Sequence, residues 1–109
     1  MATNYQRGAA AERRIASELN GRRTGNTGKA SADVRSTWLA VEVKERSVLP
    51  RWLKHAVAQA VGAAGVSWLG IAVLHEHGER YGDALVVMRL SDFRDWFGDD
   101  LPPDGRLDS

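Results

Sequence analysis

An α/β fold is predicted by three features of the sequence. From Tyr5 to about Asn20 apolar side chains recur every four residues (Ala11, Ile15, Leu19), as on one face of a helix. From Leu39 to Lys44 they alternate: Leu39, Val41 and Val43 share one side, Ala40, Glu42 and Lys44 the other, the period of a strand. From Pro50 to Ala64 helical spacing returns at Leu53, Val57, Ala60 and Ala64.

The 109 residues suffice for one core without staples, and a single domain over residues 1–98 is expected, with a loose tail from 99 to 109. There is no cysteine, which excludes disulfides and thiolate metal sites. No apolar run approaches the ~20 residues of a membrane span, and the N-terminus lacks a signal-peptide core. A soluble cytoplasmic protein with no membrane partner is expected. The formal charge of +1 hides an asymmetry. Residues 1–54 carry 11 Lys and Arg against 5 Asp and Glu, whereas residues 55–109 carry 4 against 9. A basic half suits a polyanion such as nucleic acid, although an uneven solvated surface gives the same count.

In the first helix, Asn20-Gly21 is the stop signal. At 100° per residue from Ile15, Leu19 lies at about 40° and Glu12 at about 60°, inside the apolar stripe. A carboxylate there needs a partner, either a nearby arginine or a metal ion. Gly21 to Ser31 (GRRTGNTGKAS) reads as a mobile loop whose Arg22, Arg23 and Lys29 suit phosphates. It is not a P-loop. Arg23 stands where that motif needs its first glycine, and Ala30 where it needs a hydroxyl.

A short strand around Ser31–Arg35, a turn at Ser36-Thr37 and a strand from Trp38 to Arg46 suggest a hairpin, with Asp33 on one arm and Glu42 on the other. Pro50 opens the second helix, where its missing N–H costs nothing. Gln59 falls at the edge of that helix's stripe, either bonding backbone or facing a site. Trp68 to His75 reads as a central strand, with His75 and His77 as surface residues at its exit. Glu76–Gly82 turns into a last strand, Asp83–Leu90. Ser91 and Asp92 then cap a short helix that packs Phe93, Trp96 and Phe97.

Asp33, Glu42 and Lys44 carry the chemistry. An acid and a base two positions apart on one side of a strand are either solvated surface or a reaction centre. Two carboxylates can hold a hard cation such as Mg²⁺, and an ammonium beside them can orient water or stabilise an anion.

The order of elements, together with Asp33…Glu42-x-Lys44, Glu12 on the first helix and Arg7-Gly8 near its start, resembles the PD-(D/E)xK nuclease superfamily. It is most similar to the small Holliday junction resolvases, of archaeal type and from phages, over roughly residues 7–97. The resemblance implies a restriction-endonuclease-like core, a mixed central sheet flanked by helices in αβββαβ order. It also implies that Asp33 and Glu42 ligate Mg²⁺ or Mn²⁺ with help from the Val43 carbonyl, and that Lys44 activates the attacking water. Glu12 would reach the metal directly or through water, and Gln59 would point toward the site. Arg7, Arg22, Arg23 and Lys29 would hold phosphates. Ala32 stands where the superfamily motif has proline. The implied function is a metal-dependent DNA endonuclease acting on four-way junctions as a homodimer in a phage or prokaryotic host. A restriction-like or nonspecific nuclease and an inactive DNA-binding module are the alternatives.

Overall fold

The computed structural model describes residues 3–24 and 32–98. Lys29 and the tail from 99 onward, both assigned roles from the sequence, lie outside the described residues. The chain is a mixed α/β structure: α1 (Asn4–Glu18), β1 (Arg22–Arg23), β2 (Val34–Arg35), β3 (Ala40–Val41), α2 (Arg51–Ala64), β4 (Ala72–Leu74), β5 (Leu85–Val87) and α3 (Leu90–Phe97). The described residues fall into two compact units, one made of those before Val48 together with Phe97 and Gly98, the other spanning Val48–Trp96.

In the first unit α1 starts with a capping box. Thr3 Oγ1 accepts from the Gln6 N–H at 3.1 Å, and Gln6 Oε1 accepts from the Thr3 N–H at 2.8 Å, so two otherwise unpaired donors are satisfied. The helix ends where Asn20-Gly21 predicts. Asn20 takes the left-handed conformation at φ 52°, and the Gly21 N–H returns to the Ala16 carbonyl at 2.7 Å. Gly21 is required for a second reason: a Cβ there would lie 2.6 Å from the Arg35 carbonyl oxygen, so only glycine lets the helix end press against β2.

β1, β2 and β3 form an antiparallel sheet in that order, with Arg23 opposite Val34 and Val34 opposite Val41. The expected Asp33–Glu42 hairpin is therefore present. Its turn is closed by the Ser36 N–H donating to the Leu39 carbonyl at 3.1 Å. Val34 is fully buried and forms the core of this unit with Ala16 and Leu19 of α1. Two expectations change. Arg22 and Arg23, read as part of a mobile loop, are strand β1, because the β2 backbone offers them a ladder. The Trp38–Arg46 strand is regular only at Ala40–Val41, since its partner β2 is equally short.

In the second unit Pro50 precedes α2, and its carbonyl accepts from Leu53 and Lys54. Leu53, Val57, Ala60 and Ala64 are half-covered, as their spacing predicts, but no residue of α2 is fully buried. β4 and β5 pair antiparallel, Val73 opposite Val86. Among the described residues β4 pairs with β5 alone, so the run expected as a central strand belongs to a two-stranded sheet. Its regular part is three residues rather than Trp68–His75, because a 3₁₀ turn at Tyr81–Asp83 shortens the partner. His75 stacks on Tyr81 with ring centroids 4.1 Å apart, and its Nε2 lies 2.7 Å from the Glu79 carbonyl.

Helix α3 begins at Leu90, one residue before the expected cap. Asp92 does not cap it but takes two hydrogen bonds from the Arg89 guanidinium, at 3.0 and 3.2 Å. The hydrogen bond and the charge of Asp92 together raise the Arg89 pKa above its ordinary value. Phe93 and Phe97 are half-buried, whereas Trp96 is 53% exposed rather than packed.

Two glycines of the second unit are expected to respond oppositely to alanine. A Cβ at Gly70 would meet the Ala60 carbonyl oxygen at 2.6 Å and the Val61 nitrogen at 2.8 Å, both backbone atoms of α2. Gly70→Ala must push the segment leading into β4 away from α2 and should cost about 1–3 kcal/mol. A Cβ at Gly62, inside α2, would meet nothing within 4 Å. Gly62→Ala should stabilise the helix by about 0.5–1 kcal/mol. Urea unfolding midpoints measure both.

Candidate active site

Extending the β2–β3 register by one position from Val34–Val41 sets Asp33 opposite Glu42. Antiparallel ladders alternate bonded and non-bonded pairs. The turn pair Ser36–Leu39 is bonded, so the next bond outward beyond Val34–Val41 would run from the Val43 N–H to the Ala32 carbonyl. It goes instead to the Asp33 side chain: the Val43 N–H donates to Oδ2 at 2.8 Å. The Ala32 carbonyl accepts from the Thr24 hydroxyl instead, and the Thr24 N–H donates to the Asp33 carbonyl at 3.1 Å. Asp33 is thereby fastened on both sides, and Glu42-Val43-Lys44 is drawn against it.

Beyond β3 the chain has no regular structure, yet Glu42 and Lys44 share a side, as positions i and i+2 do in extended backbone. Lys44 Nζ lies 3.3 Å from Glu42 Oε2, with both side chains more than half exposed. Such a pair contributes little to stability. Its significance is geometric, because it places an ammonium beside a carboxylate one residue from the Asp33 contact.

Glu12 lies on the sheet-facing side of α1, as its stripe position predicts. It meets an arginine: Arg23 Nε donates to Glu12 Oε1 at 3.0 Å, with the side chains 29% and 23% exposed. Of the two partners open to a carboxylate on that stripe, arginine is the one present. Glu12 is thus held at β1, on the side where Val34 is buried, while alternation from the Val34–Val41 pair turns Glu42 the other way. Arg22 and Arg7 are exposed, and Gln59 is exposed on α2 in the second unit. Arg7 and Gly8 line a cleft with Lys44, Glu45, Arg46 and Ser47, and the Val43 side borders it too. Sequence reading did not single out Glu45, Arg46 or Ser47. The signal available was the continued alternation Glu42, Lys44, Arg46.

A divalent ion fits this donor set in kind. Asp33 and Glu42 are oxygen donors at facing positions, and Mg²⁺ commonly takes one or two carboxylates, completing its shell with water and substrate phosphate. Among the described residues no group of three or more His, Asp or Glu is placed to hold a metal. The comparisons add no name: no family model, no curated protein and no solved structure matches the chain. Among the described residues no helix is long and apolar enough to cross a membrane.

The Asp33 contact separates structure from chemistry. Asp33→Ala leaves the part-buried Val43 N–H without its acceptor and should cost about 1–3 kcal/mol. Asp33→Asn keeps an oxygen for that N–H and should cost less. Comparing their urea midpoints checks the order, and equal losses would mean that the contact does not hold the hairpin.

Proposed function

We propose that the protein is a metal-dependent endonuclease that hydrolyses DNA phosphodiester bonds, with four-way junctions as its substrate class. The observation that carries the reading is the Val43 N–H···Asp33 bond, which ties the Asp33 carboxylate to the backbone between Glu42 and Lys44. The succession α1, β1, β2, β3, α2, β4 follows the αβββαβ order of a restriction-endonuclease-like core, and that order supports the reading.

Asp33 and Glu42 would hold Mg²⁺, or Mn²⁺ in its place, with the Val43 carbonyl assisting. Such an ion supplies Lewis-acid polarisation of the phosphate and a more acidic bound water. Lys44 orients the attacking water next to Glu42 and stabilises the negative charge on the phosphoryl oxygens. Glu12, held on the other side of the sheet by Arg23, anchors β1 rather than reaching the ion. Arg7, Arg22, Arg23 and Lys29 carry the phosphate contacts. Arg22 is presented to solvent, whereas Arg23 gives its Nε–H to Glu12.

Cutting a four-way junction symmetrically needs two sites at a fixed separation, which a C2 homodimer provides through one self-complementary patch. The second unit supports this: Trp68, Ile71, Val73, Leu85, Val86 and Trp96 are exposed apolar side chains. A phage or prokaryotic host and a cytoplasmic setting belong to the same proposal. The Glu12–Arg23 pair favours a second reading, an inactive DNA-binding module, because it takes the third carboxylate away from the other two. A restriction-like or nonspecific nuclease would use the same residues on plain duplex.

Cleavage of a four-way junction beside a matched duplex, with and without Mg²⁺, decides among these readings. Metal-dependent cutting of the junction is expected. Asp33→Asn, Glu42→Gln and Lys44→Ala should each lower the rate at least ~100-fold, on the scale of losing an acid–base or electrostatic group. The first two should bind DNA as well as or better than the parent, since each removes negative charge near phosphates. Equal cutting of duplex leaves the nonspecific nuclease standing, and binding without cutting leaves the inactive module.

Light scattering tests the assembly. A dimer is expected at working concentration. A strict monomer, even with junction DNA bound, would defeat the resolvase reading.

A further inference from the structure

The cleft beside Lys44 has more cationic character than hydrolysis at Asp33, Glu42 and Lys44 requires. Its volume is about 620 Å³, and it takes Arg7 and Gly8 from α1 and Lys44, Glu45, Arg46 and Ser47 from the chain leaving β3. Three cations thus face one carboxylate. Gly8 leaves the α1 wall open, since a Cβ there would meet nothing within 4 Å. Lys44 is engaged with Glu42. Arg46 Nη1 donates to the Glu45 carbonyl at 2.9 Å, a bond that uses one of the five guanidinium donors and steadies the group over its own backbone. The remaining donors of the planar guanidinium suit an anion with several acceptor oxygens, such as phosphate.

We propose that this cleft is a phosphate subsite in which Arg46, across from Arg7, seats the phosphate next to the one attacked at Lys44. The assignment rests on the nuclease reading for its choice of DNA. Arg46 stands two residues beyond Lys44, a reach of about 6.6–6.8 Å in extended chain, comparable to the step between neighbouring phosphates of a strand. One strand can therefore lie with consecutive phosphates on Lys44 and Arg46. Ser47 offers a hydroxyl donor at the far end of the cleft, and Glu45 limits how much negative charge the cleft accepts. Arg46 acts on a phosphate that does not react. It binds ground state and transition state alike, and so governs KM rather than kcat.

The test is the binding of a short fluorescent DNA duplex to the full chain without metal, followed by anisotropy across a salt series. Arg46→Gln should weaken binding severalfold and lower the slope of log K against log salt by about 0.9, the value of one phosphate contact on duplex DNA. Arg46→Lys should restore most of that slope, because the charge is kept. Glu45→Gln should tighten binding, an effect that a misfolded chain cannot imitate. An unchanged slope for Arg46→Gln, or unchanged affinity for Glu45→Gln, overturns the subsite. Cleavage by the same variants keeps the two readings apart. If the parent cuts DNA and Arg46→Gln matches it in slope and KM, the subsite fails and the nuclease stands. If the parent never cuts but Arg46→Gln loses the slope, the nuclease reading fails and the phosphate subsite stands.

Discussion

The bond from the Val43 N–H to the Asp33 carboxylate is the constraint on which the candidate site depends. A hairpin of two-residue strands has few ladder bonds, and its open end would otherwise separate beyond Val34 and Val41. Replacing the next carbonyl acceptor with a charged one gives a stronger hydrogen bond where the ladder would fray. It also makes Asp33 serve two purposes, since the oxygen that closes the hairpin belongs to the group that would hold a cation. The carboxylate orientation is thus fixed by backbone rather than by another flexible side chain, which is the preorganisation that a metal or phosphate site needs.

The helices were legible because their signals are local. Periodicity, the Asn20-Gly21 stop and Pro50 lie within the residues that they organise, and α1 and α2 end within a residue or two of those marks. The capping box at Thr3 and Gln6 was not read, although its two residues stand at the required spacing. The strands were legible in place but not in length. A strand extends only as far as its partner does, and the partner is set elsewhere in the chain: β5 is cut short by the turn at Tyr81–Asp83, which no pattern in Trp68–His75 reports. Arg22 and Arg23 were hidden for the same reason. Glycines flank them, and only the β2 backbone makes them a strand.

The site divides along the same line. Asp33, Glu42 and Lys44 were visible because alternation and hairpin pairing bring them together without any long-range contact. Glu12 was visible as an anomaly, a carboxylate on an apolar stripe, but the stripe could not say which partner resolves it. Arg23 does, across the gap between α1 and β1. Arg46 was passed over because an arginine at the end of a strand reads as solvated surface until Arg7 and Gly8 are seen to close the opposite wall of the cleft.

The separation of Glu12 from Glu42 also bears on how such a site would work. Three carboxylates gathered without a cation would repel one another, raising the energy of the metal-free fold. Here each acid has its own partner: Asp33 accepts from a backbone N–H, Glu42 is paired with Lys44 and Glu12 with Arg23. A cation arriving at Asp33 and Glu42 would compete with Lys44 for one carboxylate, and freeing that ammonium would leave it beside the phosphate that it is proposed to serve. Arg23, half-buried and already paired, is less easily drawn away, so Glu12 contributes first as the anchor of β1. The hairpin's integrity and the site's charge balance are in this way the same set of contacts, which is why a single carboxylate at Asp33 matters to both.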